Sequence, residues 1–158
     1  MEPSTPVAIA LGSNLGDRAA HLTRAMDRLA ASVSDLRRSR FIETAPVGVP
    51  DSQPPYLNAV VVGTCALPAR ALLDRLLEIE REQGRTRAFQ NAARTLDLDL
   101  ILYGTLICDE PGLVVPHPRF RDRRFVLAPL AEVAGEWLDP VTGLTISALL
   151  RRLPPARA

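Results

Sequence analysis

The chain has 158 residues, a net charge of +1 and 47% hydrophobic content. That length is expected to fold as a single domain over 1–158 with a substantial core. The near-neutral charge argues against a bulk nucleic-acid binder or a membrane-surface binder. All 19 basic residues are arginines, which removes Schiff-base chemistry and phosphate loops built on a lysine. Cys65 and Cys108 stand far apart, without a CxxC pair or a His/Cys cluster. Free thiols are therefore expected rather than a zinc site. The N-terminal residues lack the pattern of a signal peptide, and no apolar run is long enough to span a membrane. The expected location is the cytoplasm.

Val7–Leu11 is wholly apolar and predicts a central strand. Gly12-Ser13-Asn14-Leu15-Gly16-Asp17 reads as a turn leading into a helix from Arg18 to Ala31. Leu22, Ala25, Met26 and Leu29 share one face of that helix. Val33 to Thr44 predicts one long, partly polar strand, and residues 45–55 form a loop with four prolines. Tyr56 to Thr64 predicts a second apolar strand. Pro68 to Gln83 predicts a helix, which Gly84 would stop. After an arginine-bearing loop comes a strand from Asp97 to Leu102. The order β-α-β-β-α-β predicts an α+β, ferredoxin-like fold: a mainly antiparallel sheet with helices packed on it, followed by a C-terminal extension. In that extension Leu106 to Cys108 predicts a short strand, residues 114–125 a proline-bracketed loop with four arginines, and Val126 to Val133 and Thr145 to Leu150 short helices.

The chemistry is expected around Asp97-Leu98-Asp99. Side chains at i and i+2 of a strand share a face about 7 Å apart. Two carboxylates so placed suit Mg²⁺, which takes one or two of them together with water and phosphate oxygens. Arg85 and Arg94, just upstream, suit those phosphates. Read alone, the Asp pair equally fits the solvated face of a half-buried sheet. Tyr56 and Asn58 also share a strand face, offering a stacking plane beside an amide. They equally fit an edge-strand tyrosine and a capping asparagine. Glu80 faces inward on its helix and is placed to pair with an arginine of the following loop, as a salt bridge. His117 is held between two prolines. Arg119, Arg121, Arg123 and Arg124 equally form a solvated face.

Taken together these residues resemble one family, the 6-hydroxymethyl-7,8-dihydropterin pyrophosphokinases. The matching elements are Gly12-Ser13-Asn14-Leu15, Thr44-Ala45-Pro46-Val47-Gly48, Tyr56-Leu57-Asn58-Ala59, Glu80 and Gly84-Arg85. They continue with Ala92-Ala93-Arg94-Thr95-Leu96-Asp97-Leu98-Asp99, Val115-Pro116-His117-Pro118, Arg123 and Phe125. The resemblance implies ATP-dependent pyrophosphoryl transfer to the pterin hydroxymethyl group, releasing AMP, as a step in folate biosynthesis. It implies two Mg²⁺ ions on Asp97 and Asp99, with Arg85, Arg94, Asp97 and Asp99 as the catalytic set. Thr44, Ala45, Val47, Tyr56, Asn58 and Phe125 would hold the pterin. Leu73, Glu80, Arg85, Arg94, Leu100, His117 and Arg123 would hold ATP. Asp97 would suffice as proton acceptor. The implied partners are these small molecules alone, with no nucleic acid and no membrane, and the chain would act as a monomer. The sequence departs from the family pattern in a shorter arginine loop, in Gln90 where a basic residue is frequent, and in Pro118 after His117. Two rivals fit the same chemistry: a palm-type nucleotidyltransferase, and a ferredoxin-like anion-sensing module without turnover.

Overall fold

Strand β1, Thr5–Ser13, is the spine of the sheet. It is flanked on one side by β4, Tyr56–Cys65, and on the other by β5, Asp97–Tyr103, both antiparallel. The computed structural model describes residues 4–44, 55–83 and 96–154. Between β1 and β4 lie helix α1, Arg18–Leu29, and strands β2, Val33–Arg38, and β3, Ile42–Thr44, which both pair with β4. Helix α2, Ala69–Glu82, connects β4 to β5. The strand order β2-β4-β1-β5 is that of a ferredoxin-like sheet, as expected.

The alternation of each strand sends its side chains to two separate cores. Val7, Ile9 and Leu11 of β1, Ala59 and Val61 of β4, and Leu98 and Leu100 of β5 pack beneath α1 and α2. Ala8, Val60, Val62, Ile101 and Leu102 pack on the opposite face. That face is covered by α3, Arg124–Ala134, and α4, Ile146–Arg152. The C-terminal extension is thus a third layer. Leu102 can join Ile101 on the α3 face because the β1–β5 register shifts between Ala8 and Ile9. Arg28 on α1 forks onto Glu82 on α2, at 2.8 and 2.7 Å, tying the two helices together.

Several boundaries differ from the sequence expectation, each for a local reason. The strand expected over Val33 to Thr44 is broken into β2 and β3. Ser39 donates its N–H to the Val60 carbonyl while its hydroxyl accepts from the Val60 N–H, both at 2.9 Å, so a side chain takes the place of a ladder carbonyl. A further shift lies between Ser34 and Arg37, where Asp35 has φ 54°. Gly63 permits the close approach of β2 there, since a Cβ on it would meet Ser34 O and Val33 Cγ1, each at 2.5 Å. Gly12 and Ser13 belong to β1 rather than to the following turn. Asp17 caps α1, its carboxylate accepting from the Ala20 N–H at 3.1 Å. The strand expected at Leu106 to Cys108 is instead β6, Cys108–Glu110, hairpinned to β7, Leu113–Val115. Helix α3 starts two residues earlier than expected and runs through Pro129, because burial of Val126, Leu127, Leu130 and Ala134 outweighs one missing backbone hydrogen bond.

Candidate functional site

The strand registers place the predicted residues in rows across one face of the sheet. Gly12 lies opposite Asn58 on β4 and opposite Asp97 on β5. Ala10, two residues back, lies opposite Val60 and Asp99. Ile42 pairs with Asn58, and Thr44 with Tyr56, at the other end of the row. Directly opposed residues carry their side chains on the same face. Tyr56, Asn58, Asp97 and Asp99 therefore stand on the α3 side of the sheet, with the small residues Ala10 and Gly12 as a floor between them. Strands pack about 4.8 Å apart, so the amide and the Asp97 carboxylate flank a slot about two strand spacings wide.

Gly12 keeps that slot open. A Cβ on it would sit 3.3 Å from Asn58 Oδ1 and 3.7 Å from Tyr56 Cδ1. Asn58 is 6% exposed, and its Nδ2 donates to Thr44 Oγ1 at 2.8 Å and to the Ile42 carbonyl at 3.2 Å. The amide orientation is thereby set, with Oδ1 on the Gly12 side. Arg18 braces the same end of the sheet, donating to the Pro55 carbonyl at 2.7 Å and lying 3.5 Å from Glu43.

Asp97 is half-buried and Asp99 exposed. Between them, the Leu98 N–H donates to Glu80 Oε2 at 2.7 Å, and Glu80 is itself only 4% exposed. Strand β5 is at the edge of the sheet, so half of its N–H groups have no neighbouring strand to meet. A carboxylate from α2 satisfies one of them. The expected pairing of Glu80 with the arginine loop falls on residues outside those described; its described contact is with the aspartate strand.

His117 docks alongside β5, its N–H donating to the Ile101 carbonyl at 3.0 Å. Burial lowers its pKa, nearby Asp99 works in the opposite sense, and Arg123 and Arg119 add to the lowering. The Arg119 N–H donates to His117 Nδ1 at 3.1 Å. The ring is therefore neutral at pH 7, with its proton on Nε2. The Arg123 guanidinium lies 5.6 Å from the centroid of the half-buried Phe125 ring. Leu73 and Leu100 belong to the helix-side core, across β5 from the aspartate side chains. Ser13, the last residue of β1, and Asn14 after it are fully buried.

The structure thus gathers Thr44, Tyr56, Asn58, Asp97 and Asp99 onto one sheet face, with His117 beside the Asp99 end. Ala45, Val47, Arg85 and Arg94 lie outside the described residues. Among the described residues no group of three or more His, Cys, Asp or Glu could hold a metal ion. The donor set is a pair of carboxylates, which fits a hard, water-rich cation and not a zinc centre. Sequence reasoning missed Gly12 as the floor of the slot. A glycine after five apolar residues of a strand was the available signal, since it marks a close approach.

Residues 8–135 match the sequence profile of the 7,8-dihydro-6-hydroxymethylpterin-pyrophosphokinase (HPPK) family. The chain is 44% identical over 130 residues to the 2-amino-4-hydroxy-6-hydroxymethyldihydropteridine pyrophosphokinase of Bacillus subtilis, covering 81% of this chain and 77% of that protein. It is 40% identical over 147 residues to the enzyme of that name from Synechocystis, covering 92% of this chain and 74% of the other. It is also 36% identical over 148 residues to the folic acid synthesis protein fol1 of Pneumocystis carinii, covering 93% of this chain but spanning only 20% of that longer protein. Its fold superposes on the crystal structure of Plasmodium falciparum HPPK-DHPS with a TM-score of 0.73 at 12% identity, over 96% of this chain and 45% of that one. The chain belongs to the 7,8-dihydro-6-hydroxymethylpterin-pyrophosphokinase family.

Proposed function

We propose that the chain is the pyrophosphokinase its family membership points to. It transfers a pyrophosphoryl group from ATP to the hydroxymethyl group of 6-hydroxymethyl-7,8-dihydropterin, giving the pterin diphosphate and AMP in folate synthesis. The observation that carries this reading is the row Asn58–Gly12–Asp97, a planar-ligand slot that opens directly onto a carboxylate pair. The pterin lies in the slot between Tyr56 and Phe125. Asn58 reads its edge through Oδ1, with Thr44, Ala45 and Val47 completing the contacts. Asp97 and Asp99 would hold two Mg²⁺ ions, which would supply neutralising charge for the triphosphate and acidify the attacking hydroxyl. Asp97, the aspartate in the row with Asn58, is the nearer to that hydroxyl and accepts its proton.

Attack at the β-phosphorus expels AMP, so negative charge rises on both sides of that atom. Arg85, Arg94 and Arg123 supply the fixed positive charge, and catalysis is mainly positioning and electrostatics. The neutral His117, with its proton on Nε2, serves the nucleotide as a hydrogen-bond donor rather than as a base. The adenine rests at the outer edge of β5, against Leu73 and Leu100. Glu80 supports ATP indirectly, through the strand it holds. The chain acts as a cytoplasmic monomer on small molecules. Asp97→Asn and Asp99→Asn test the reading: turnover at saturating Mg²⁺ should fall by at least about a hundredfold. Near-normal turnover in both would rule out a centre built on the aspartates.

A further inference from the structure

The charged side chain buried most completely among the described residues is not one of the site residues above. Asp139 is 0% exposed and sits in a turn between Leu138 and Thr145, which bridge antiparallel to each other. Arg121 forks onto it, Nε to Oδ2 at 2.5 Å and Nη2 to Oδ1 at 2.9 Å. Thr142 Oγ1 donates to Oδ2 at 2.8 Å and the Val141 N–H donates to Oδ1 at 3.0 Å.

The turn closes without the arginine. Gly143 N–H donates to the Asp139 carbonyl at 2.8 Å, and Asp139 N–H to the Leu144 carbonyl at 2.9 Å. What Arg121 adds is a tie from this closed turn to a different segment. That segment is the short 3-10 turn Phe120–Asp122, which lies between His117 and the pair Arg123 and Phe125. Phe120 is fully buried, and the Arg121 guanidinium stacks 4.8 Å from its ring centroid. The segment is thus anchored at three points: His117 N–H on Ile101, Phe120 in the core, and Arg121 on Asp139. Val126 and Leu127 N–H both donate to the Arg123 carbonyl at 2.9 Å, so Arg123 is fixed as the first step into α3. Burying an ion pair contributes little net stability compared with an apolar replacement, and in some proteins its role is to specify geometry.

We propose that Arg121 and Asp139 are positioning residues for substrate binding: their ion pair fastens the 117–125 segment so that Arg123 and Phe125 face the two substrates. This rests on the assignment of Arg123 and Phe125 to the substrates. Neither member of the pair touches a reacting atom; both act through the backbone between Arg121 and Phe125.

The test uses the full chain, comparing Asp139→Asn, Arg121→Met, the double variant and Arg123→Ala. Binding is read directly from the fluorescence of the pterin with an ATP analogue, and KM and kcat from turnover, at a temperature where circular dichroism shows each variant folded. Each single clamp variant should weaken pterin binding and raise KM about tenfold, with a smaller fall in kcat than Arg123→Ala itself shows. The double variant should be no worse than the weaker single, since both remove one tie. Should Asp139→Asn fail to fold, Arg121→Lys, which keeps the charge but loses the fork, carries the same comparison. Unchanged binding and KM in the folded clamp variants, with Arg123→Ala impaired, would overturn the positioning role alone. Unchanged binding, KM and kcat in Arg123→Ala as well would overturn both it and the substrate assignment beneath it.

Discussion

Glu80 accepts the backbone N–H of Leu98 at 2.7 Å, so a buried carboxylate on α2 grips β5 between its two aspartates. The contact fixes the height and twist of the strand where Asp97 and Asp99 project. A hydrogen bond to a charged acceptor contributes about 1.5–3 kcal/mol, and leaving the donor buried and unpaired costs about 1–3 kcal/mol. Glu80→Ala should therefore lower stability by about 2 kcal/mol. It should also weaken Mg²⁺ binding in calorimetry, because the strand that carries both aspartates loses its grip. Glu80→Gln keeps an acceptor oxygen and should lose less of both. Equal Mg²⁺ affinity in the folded alanine variant would show that the grip has no part in binding the ion.

Gly12→Ala makes a sharper geometric prediction. The new methyl would lie 3.3 Å from Asn58 Oδ1, tighter than ordinary contact. Asn58 is backed on its other side by Thr44 and Ile42, already at hydrogen-bond distance, so it can retreat only by crowding them. The KM for the pterin should rise about ten- to a hundredfold, while the KM for ATP moves little. The same rise in both would mean that the substitution deforms the sheet and not the slot.

Acid should loosen the C-terminal turn. Burial works to raise the Asp139 pKa, but the bonds from Arg121, Thr142 and the Val141 N–H outweigh it and hold the carboxyl below its ordinary range. A carboxyl depressed in the folded state stabilises it fully above its unfolded pKa, about 3.9, and that contribution is lost as pH falls through the folded value. Wild type should lose thermal stability on acidification below about pH 4 through this group, and Asp139→Asn should lose less. Arg121→Met, which strands the buried carboxylate, should cost about 3–5 kcal/mol at pH 7. Parallel stability–pH curves for wild type and Asp139→Asn would contradict the assignment.

The central sheet was legible because its period is simple. Alternation in Asp97-Leu98-Asp99-Leu100 correctly put the aspartates on one face and the leucines in the helix-side core. The apolar stripe of α1 was legible for the same reason, with Leu22, Ala25, Met26 and Leu29 all buried. What escaped were features made by tertiary contacts. The hydroxyl of Ser39 ending β2 depends on Val60, 21 positions away. The pair of Arg121 with Asp139 spans 18 positions, and in sequence Arg121 looked like one more member of a solvated run. Glu80 was recognised as inward-facing, but its described partner is a backbone N–H, which carries no sequence signature. The residues expected to join the site at 45, 47, 85 and 94 lie outside the described residues.

The phosphorus that is attacked distinguishes pyrophosphoryl transfer from nucleotidyl transfer. The purified chain, incubated with Mg²⁺, 6-hydroxymethyl-7,8-dihydropterin and ATP labelled at the β-phosphate, should release unlabelled AMP and carry the label into the pterin diphosphate in equal amounts. Release of labelled pyrophosphate with the nucleotide joined to the acceptor, or binding without any turnover, would contradict it.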